Sequence, residues 1–189
     1  MFPLVRVPAS PHMDIALTYA TADNFTGKPV YGAHAGCFLN AEAAALLDKA
    51  AELARPLALK LKLLDAFRPS EAQWVLWNHT PDAGFLADPR RGSPHSRGAA
   101  IDLTLVRHDS GEELDMGTPF DAFTPLSHHG NQGISPEAQM NRHLLLGIMT
   151  TAGWDFYRNE WWHYQLFNVR ERYPVLSDSI LGADRMMPR

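Results

Sequence analysis

Two short stretches of this 189-residue chain bring metal-binding and proton-carrying side chains close together. Ser93-Pro-His95-Ser-Arg-Gly98-Ala-Ala-Ile-Asp102 sets an imidazole before a glycine and a carboxylate seven residues further on. Glu160-Trp-Trp-His163 sets a carboxylate three residues ahead of a histidine in an aromatic run. An imidazole in so apolar a run is costly to bury unless it is hydrogen-bonded or bound to a metal. Two histidines and one carboxylate from separate elements would leave a zinc ion one open position for water, the arrangement of a catalytic site. A third stretch, Asp65-Ala-Phe-Arg68-Pro69, closes an alternating segment, where an arginine can aim its guanidinium into a cleft. Each stretch alone also has an ordinary explanation. A loop histidine with a solvated aspartate, a core histidine with a surface glutamate, and an arginine lying over Phe67 would look the same.

Composition narrows the chemistry. Nine histidines stand against one cysteine, Cys37, so disulfide scaffolds and cysteine-rich zinc sites are excluded and a transition metal must be held by imidazole and carboxylate. Seventeen basic and twenty-one acidic side chains give a net charge of −4, with no basic stripe of the kind nucleic-acid binders show. No stretch approaches the roughly 20 apolar residues of a membrane span. Met1 to Ala20 contains three prolines and no apolar core of a secretory signal, which with the lone cysteine suggests a cytoplasmic protein. Cys37 has no neighbouring base and is not expected to be a nucleophile.

The elements that must position these groups can be read from spacing. Residues 1–189 read as one domain, with no repeat or linker to divide them. After a segment from Asp14 to Val30 that includes the turn-rich stretch Asn24 to Pro29, apolar residues at helical spacing run from Asn40 to Arg55, with Asn40 as N-cap and Pro56 as stop. Leu57, Leu59, Leu61 and Leu63 then alternate with Lys60 and Lys62 as a half-buried strand. Ser70 and Gln73 have capping-box spacing and open a second helix, with Trp74 and Trp77 expected in the core. Thr80 to Pro94 reads as loop. Ala99 to Arg107 reads as a strand with Ile101, Leu103 and Leu105 facing the core and Asp102 facing the other way, and Asp109 to Gly111 turns the chain back. A third helix runs from Ser135-Pro136 to Gly153, and Trp161 to Phe167 forms a last strand, so Glu160 must lie in the turn that enters it. The sum is an α+β fold with a largely antiparallel central sheet and flanking helices. His128 and His129 read as loop or supporting groups, and His12, His34, His79, His108 and His143 as surface residues.

Taken together and in order, Tyr19-Ala-Thr-Ala-Asp-Asn-Phe-Thr-Gly-Lys-Pro29, the His95 to Asp102 stretch and Glu160-Trp-Trp-His163 resemble the zinc D-alanyl-D-alanine dipeptidases, including the vancomycin-resistance type. The resemblance runs from about Asp14 to Pro174. It implies a fold like the zinc DD-peptidases with a Hedgehog-like architecture, and one Zn2+ per chain held by His95, Asp102 and His163. It further implies Glu160 as general base and acid, Arg68 as the stabiliser of the tetrahedral intermediate, and Tyr19, Ser93 and Asp121 as substrate contacts. The implied partner is a small dipeptide, and neither nucleic acid nor membrane. Two departures stand out: Pro94 where relatives of the resistance type carry a serine, and a shorter loop between Arg68 and Ser93. A related carboxypeptidase or endopeptidase acting on longer wall peptides, and a zinc-binding module without catalysis, are the rival readings. Retention of Glu160 argues against the second.

Overall fold

The alternating leucines do form the middle of a sheet. The computed structural model describes residues 4–188, and in it strands β1 (Leu4–Arg6), β2 (Met13–Ile15), β3 (Phe38–Asn40), β4 (Leu59–Asp65), β5 (Ala100–Arg107), β6 (Asp155–Phe156) and β7 (His163–Gln165) make two sheets. The larger has the order β2-β4-β5-β7-β6; β2 runs parallel to β4 and every other neighbour is antiparallel. β1 and β3 form a separate antiparallel pair. The α+β reading and the largely antiparallel sheet agree with this architecture.

Helices α1 (Ala41–Ala54), α2 (Ser70–His79), α3 (Pro136–Ala152) and the short α4 (Val169–Arg172) flank the sheets. α1 starts as its sequence requires: the Asn40 side chain accepts from the Ala43 N–H at 2.9 Å, a cap of a type worth about 1 kcal/mol. Ser135 caps α3 in the same way, and Gly153, at φ 117°, ends it in a conformation that only glycine adopts at little cost. α1 packs against α3 and against β3 and β4. Its Leu47, Ala50 and Ala54 are fully buried, as are Leu61, Leu63, Ile101, Leu103 and Leu105 of the sheet.

Several local expectations are corrected. Leu57 is not in the strand but in a 3-10 turn, 49% exposed, before Ala58 turns the chain at φ 55°. The capping box of α2 does not form: Pro69 occupies the cap, Ser70 bonds Glu71, and Gln73 is turned inward. Trp74 is 42% exposed, because the buried face of α2 is Ala72, Gln73 and Leu76; Trp77 is half-buried against the core. The last strand shrinks from Trp161–Phe167 to three residues, β7, with β6 hairpinned to it.

Register explains how acidic groups reach one place. Leu61 and Leu63 pair with Leu105 and Leu103, and strict alternation would send Asp65 to the same core face. A bulge between Leu63 and Asp65 shifts the pairing, so Asp65 stands opposite Asp102, and Asp102 in turn stands opposite His163. Two carboxylates and an imidazole thus share one row across three strands.

Candidate metal centre and its cavity

His95 lies in a 3-10 turn, His95–Arg97, closed by Gly98 at φ 62°. A Cβ on Gly98 would come within 2.3 Å of the Leu4 side chain and 3.2 Å of the Asn40 nitrogen, so this crossing requires glycine. The turn delivers the His95 ring to the row on β5 and β7. His95 Nε2 lies 3.0 Å from His163 Nδ1 and 3.2 Å from Asp102 Oδ1, and His163 Nδ1 lies 3.0 Å from the same oxygen.

The outer nitrogens decide what these three atoms can do. His95 Nδ1 lies 2.7 Å from the Ala66 carbonyl oxygen, and His163 Nε2 lies 3.1 Å from Gln165 Oε1. In the tautomer whose outer nitrogen donates to its oxygen, each ring turns a bare lone pair inward. Two lone pairs and a carboxylate oxygen, all buried, then face one another. Acceptors meeting without a donor are what a bound cation resolves, and bonds from the second nitrogens to protein oxygens are how metal-binding histidines are oriented. Donors about 2.0–2.1 Å from a tetrahedral ion stand roughly 3.3 Å apart, close to the spacing found.

All eight residues singled out from the sequence line one cavity of about 430 Å3: Tyr19, Arg68, Ser93, His95, Asp102, Asp121, Glu160 and His163. Glu160 sits in the turn between β6 and β7, 6% exposed, with Oε2 3.8 Å from His163 Nδ1. Burial, and then the charges of Asp102 and Asp121, hold its carboxyl well above the usual range despite Arg68. Asp121, at φ 58°, accepts from the Tyr19 hydroxyl at 2.7 Å, and burial of its carboxyl pushes its pKa up to about 8. Tyr19 is fully buried, so its hydroxyl orients Asp121. Ser93 Oγ accepts from the His95 N–H at 3.2 Å. A larger open groove of about 1050 Å3 lies beyond Asp121 and contains no member of the His–Asp–His cluster.

Arg68 is held from several sides. Its Nε donates to Asp65 Oδ2 at 2.8 Å, Nη1 to Gln73 Oε1 at 2.9 Å, and Nη2 reaches Asp65 Oδ2 at 2.8 Å and Asp102 Oδ2 at 3.5 Å. The guanidinium lies 5.1 Å from the centre of the Tyr19 ring. Burial works against its charge, and Asp65, Tyr19, Tyr31 and Asp102 together outweigh it. Tyr31 completes the frame by donating to Asp65 Oδ1 at 2.8 Å. Among the described residues, one Nη1–H of Arg68 has no protein acceptor.

A family model described as D-ala-D-ala dipeptidase matches residues 5–177. The chain belongs to this family. Its members are metallopeptidases. The chain is similar to the D-alanyl-D-alanine dipeptidase of Escherichia coli (strain K12), at 44% identity over 89% of this chain and 86% of the relative. It is also similar to the D-alanyl-D-alanine dipeptidases of Enterococcus faecium, at 41% identity over 82% and 86%, and of Streptomyces coelicolor, at 38% over 78% and 83%. A metallopeptidase needs a metal. Among the described residues, His95, Asp102 and His163 are the one group of three or more His, Cys, Asp or Glu whose ligand atoms converge, and the donor set fits.

Sequence reasoning missed the supporting groups. Asp65 was visible three residues before Arg68, at the end of the alternating segment, yet no role was read for it. Gln73 read as a helix cap, and Gln165, two residues after His163, carried no signal apart from the strand's period, which puts it on the same face. The remaining histidines stay out of the cluster. His34, His79, His108 and His143 are exposed, His12 and His128 are half-buried, and burial pushes the pKa of the half-buried His129 down to about 4. Cys37 is buried and its thiol is pushed up to about 12 by burial, then by the charge of Asp65, which agrees with an inert cysteine. Among the described residues no helix is long and apolar enough to cross a membrane.

Proposed function

We propose that the chain hydrolyses the dipeptide D-Ala-D-Ala with one zinc ion held by His95 Nε2, Asp102 Oδ1 and His163 Nδ1. The observation that carries this reading is the convergence of two imidazole nitrogens and a carboxylate oxygen in a cavity that also contains Glu160 and Arg68. Relatives bearing the dipeptidase name over most of their length supply the substrate. When bound, zinc supplies the Lewis acidity that brings the pKa of a water down towards about 7 and polarises the scissile carbonyl.

The protein's own groups do the rest. Glu160 takes the water's proton and delivers it to the leaving nitrogen, and its raised pKa suits both halves of that transfer. Negative charge gathering on the carbonyl oxygen meets the Arg68 Nη1–H that no protein group accepts. Asp121, oriented by Tyr19, receives the substrate ammonium, a charge that relieves the mutual repulsion of Asp102, Asp121 and Glu160. Ser93 offers its hydroxyl hydrogen to the substrate, its oxygen being engaged by the His95 N–H. With Pro94 beside it, no second hydroxyl is available at this point of the wall. A free dipeptide also suits a cytoplasmic enzyme, since polymerised wall lies outside the cell. Residues 1–189 would act as one catalytic domain.

The test joins metal content to hydrolysis. Purified protein should hold one zinc per chain and cleave D-Ala-D-Ala in preference to L-Ala-L-Ala and to N-capped or longer substrates. Glu160→Gln should keep the zinc and lose at least about a hundredfold in kcat. Preference for the longer substrate, or loss of zinc from Glu160→Gln, overturns the reading.

A further inference from the structure

Apart from the two histidines, the wall of the metal cavity holds two cationic side chains, Arg68 and Arg170. They differ in what holds them. Arg68 is engaged by Asp65, Gln73 and Asp102. Arg170 is exposed at the mouth and bonds no protein acceptor among the described residues. Two positions on, Arg172 turns away and binds the Glu42 carboxylate. The chain sets this contrast locally. Leu166 N–H donates to the Ala99 carbonyl at 2.9 Å, Asn168 then reverses direction at φ 53°, and buried Val169 anchors the segment, leaving Arg170 on the cavity side.

We propose that Arg170 receives the free carboxylate of the dipeptide and is thereby the residue that selects an unblocked C-terminus. The inference rests on the dipeptidase reading and adds a residue that neither the motifs nor the family resemblance supplied. A zwitterionic dipeptide brings one charge of each sign into a wall rich in carboxylates. Asp102, Asp121, Glu160 and Glu171 line it, and each of them in ionised form repels a substrate carboxylate. With Arg68 engaged, Arg170 is the cation left to meet that group, and a planar guanidinium matches a carboxylate with two parallel hydrogen bonds. A contact to a part of the substrate that does not react is made equally before and during the chemistry. It should therefore act on KM and leave kcat nearly unchanged.

Binding separates this inference from the reading it rests on. In zinc-loaded Glu160→Gln protein, D-Ala-D-Ala should bind about tenfold more tightly than its C-terminal amide. Adding Arg170→Ala should weaken the free acid about tenfold and the amide less than twofold, and Arg170→Lys should recover part of the difference. In the otherwise unmutated enzyme, Arg170→Ala should raise KM for the free acid by a similar factor. Equal weakening of acid and amide, no weakening of either, or no binding of the acid to the Glu160→Gln protein overturns the role of Arg170. Failure of the unmutated enzyme to cleave D-Ala-D-Ala, with the acid-over-amide preference intact, overturns the dipeptidase reading instead.

Discussion

At the floor of the cavity Asp65, Asp102 and His163 stand in one row across β4, β5 and β7, and each side chain there is bonded to at least one other protein group. At the rim, Asp121, Tyr157 and Arg170 come from turns and from the short α4, and few side-chain hydrogen bonds hold them: Asp121 accepts from Tyr19, Tyr157 bonds Gly84 and Asn159, and no bond to a protein acceptor holds Arg170 among the described residues. The floor fixes charges whose positions must not move by much during reaction, and strands with paired backbones can do that. On the proposed function the rim meets the ends of a substrate that must enter and leave, and loops on a rigid scaffold suit that task. Substitutions at the floor should therefore act on kcat or on the metal, and those at the rim on KM.

Asp65→Asn is the severest test of this division. It removes the charge opposite Arg68 while Ala66 still accepts from His95, so the metal should remain. Without that carboxylate the guanidinium keeps only Gln73 and the longer contact to Asp102, and kcat should fall roughly a hundredfold, on the order of losing one preorganised donor. Stability should fall by about 3–5 kcal/mol, because a buried cation has lost its partner. The readout that marks a positioning role is a double-mutant cycle: on an Arg68→Ala background, Asp65→Asn should cost little further activity. Equal costs in both backgrounds would mean that Asp65 acts independently of Arg68. Gln165→Leu comes next. It removes the acceptor of His163 Nε2 and should weaken zinc affinity by about 10–100-fold, seen by chelator competition, with kcat at saturating zinc changed far less. Unaltered zinc affinity would separate Gln165 from the floor.

How much of this was legible in the chain follows the same line. The convergence of His95, Asp102 and His163 could be expected only from the stretches taken together with the family resemblance, and the turn at Glu160 could be read because three residues along a strand reverse a side chain. α1 and α3 were legible from their caps, and their observed starts at Asn40 and Ser135 agree. Asp65 was hidden by the bulge, since one extra residue in β4 inverts the face that alternation assigns. Trp74 misled because its spacing from Trp77 says that the two are neighbours on α2 without saying which way that face points, and Gln73 takes the inward position to reach Arg68. β1, β2 and β3 are three residues each, too short for a period to register, and their partners are set by contacts far along the chain.

The smallest expected effect lies at another part of the rim, around Tyr157. The loop from Thr80 to Gly92 lends Ala83, Phe85, Leu86 and Ala87 to the cavity wall, and two of its ties matter here: Gln73 Nε2 donates to the Ala87 carbonyl at 2.7 Å, and Tyr157 Oη and Asn159 Nδ2 both donate to the Gly84 carbonyl, at 3.1 and 3.2 Å. The first tie belongs to the floor, because Gln73 also holds Arg68; the second belongs to the rim, between a loop and the turn that bears Glu160. Tyr157→Phe removes one of two donors to a single carbonyl, and Asn159 remains to satisfy it. A partly exposed hydrogen bond with such a substitute is worth about 1 kcal/mol or less, so KM for the dipeptide should change by less than about fivefold and kcat by less than twofold. A kcat loss as large as that of Asp65→Asn would erase the division between floor and rim, since it would mean that a rim bond fixes Glu160 as firmly as the strands fix Asp102.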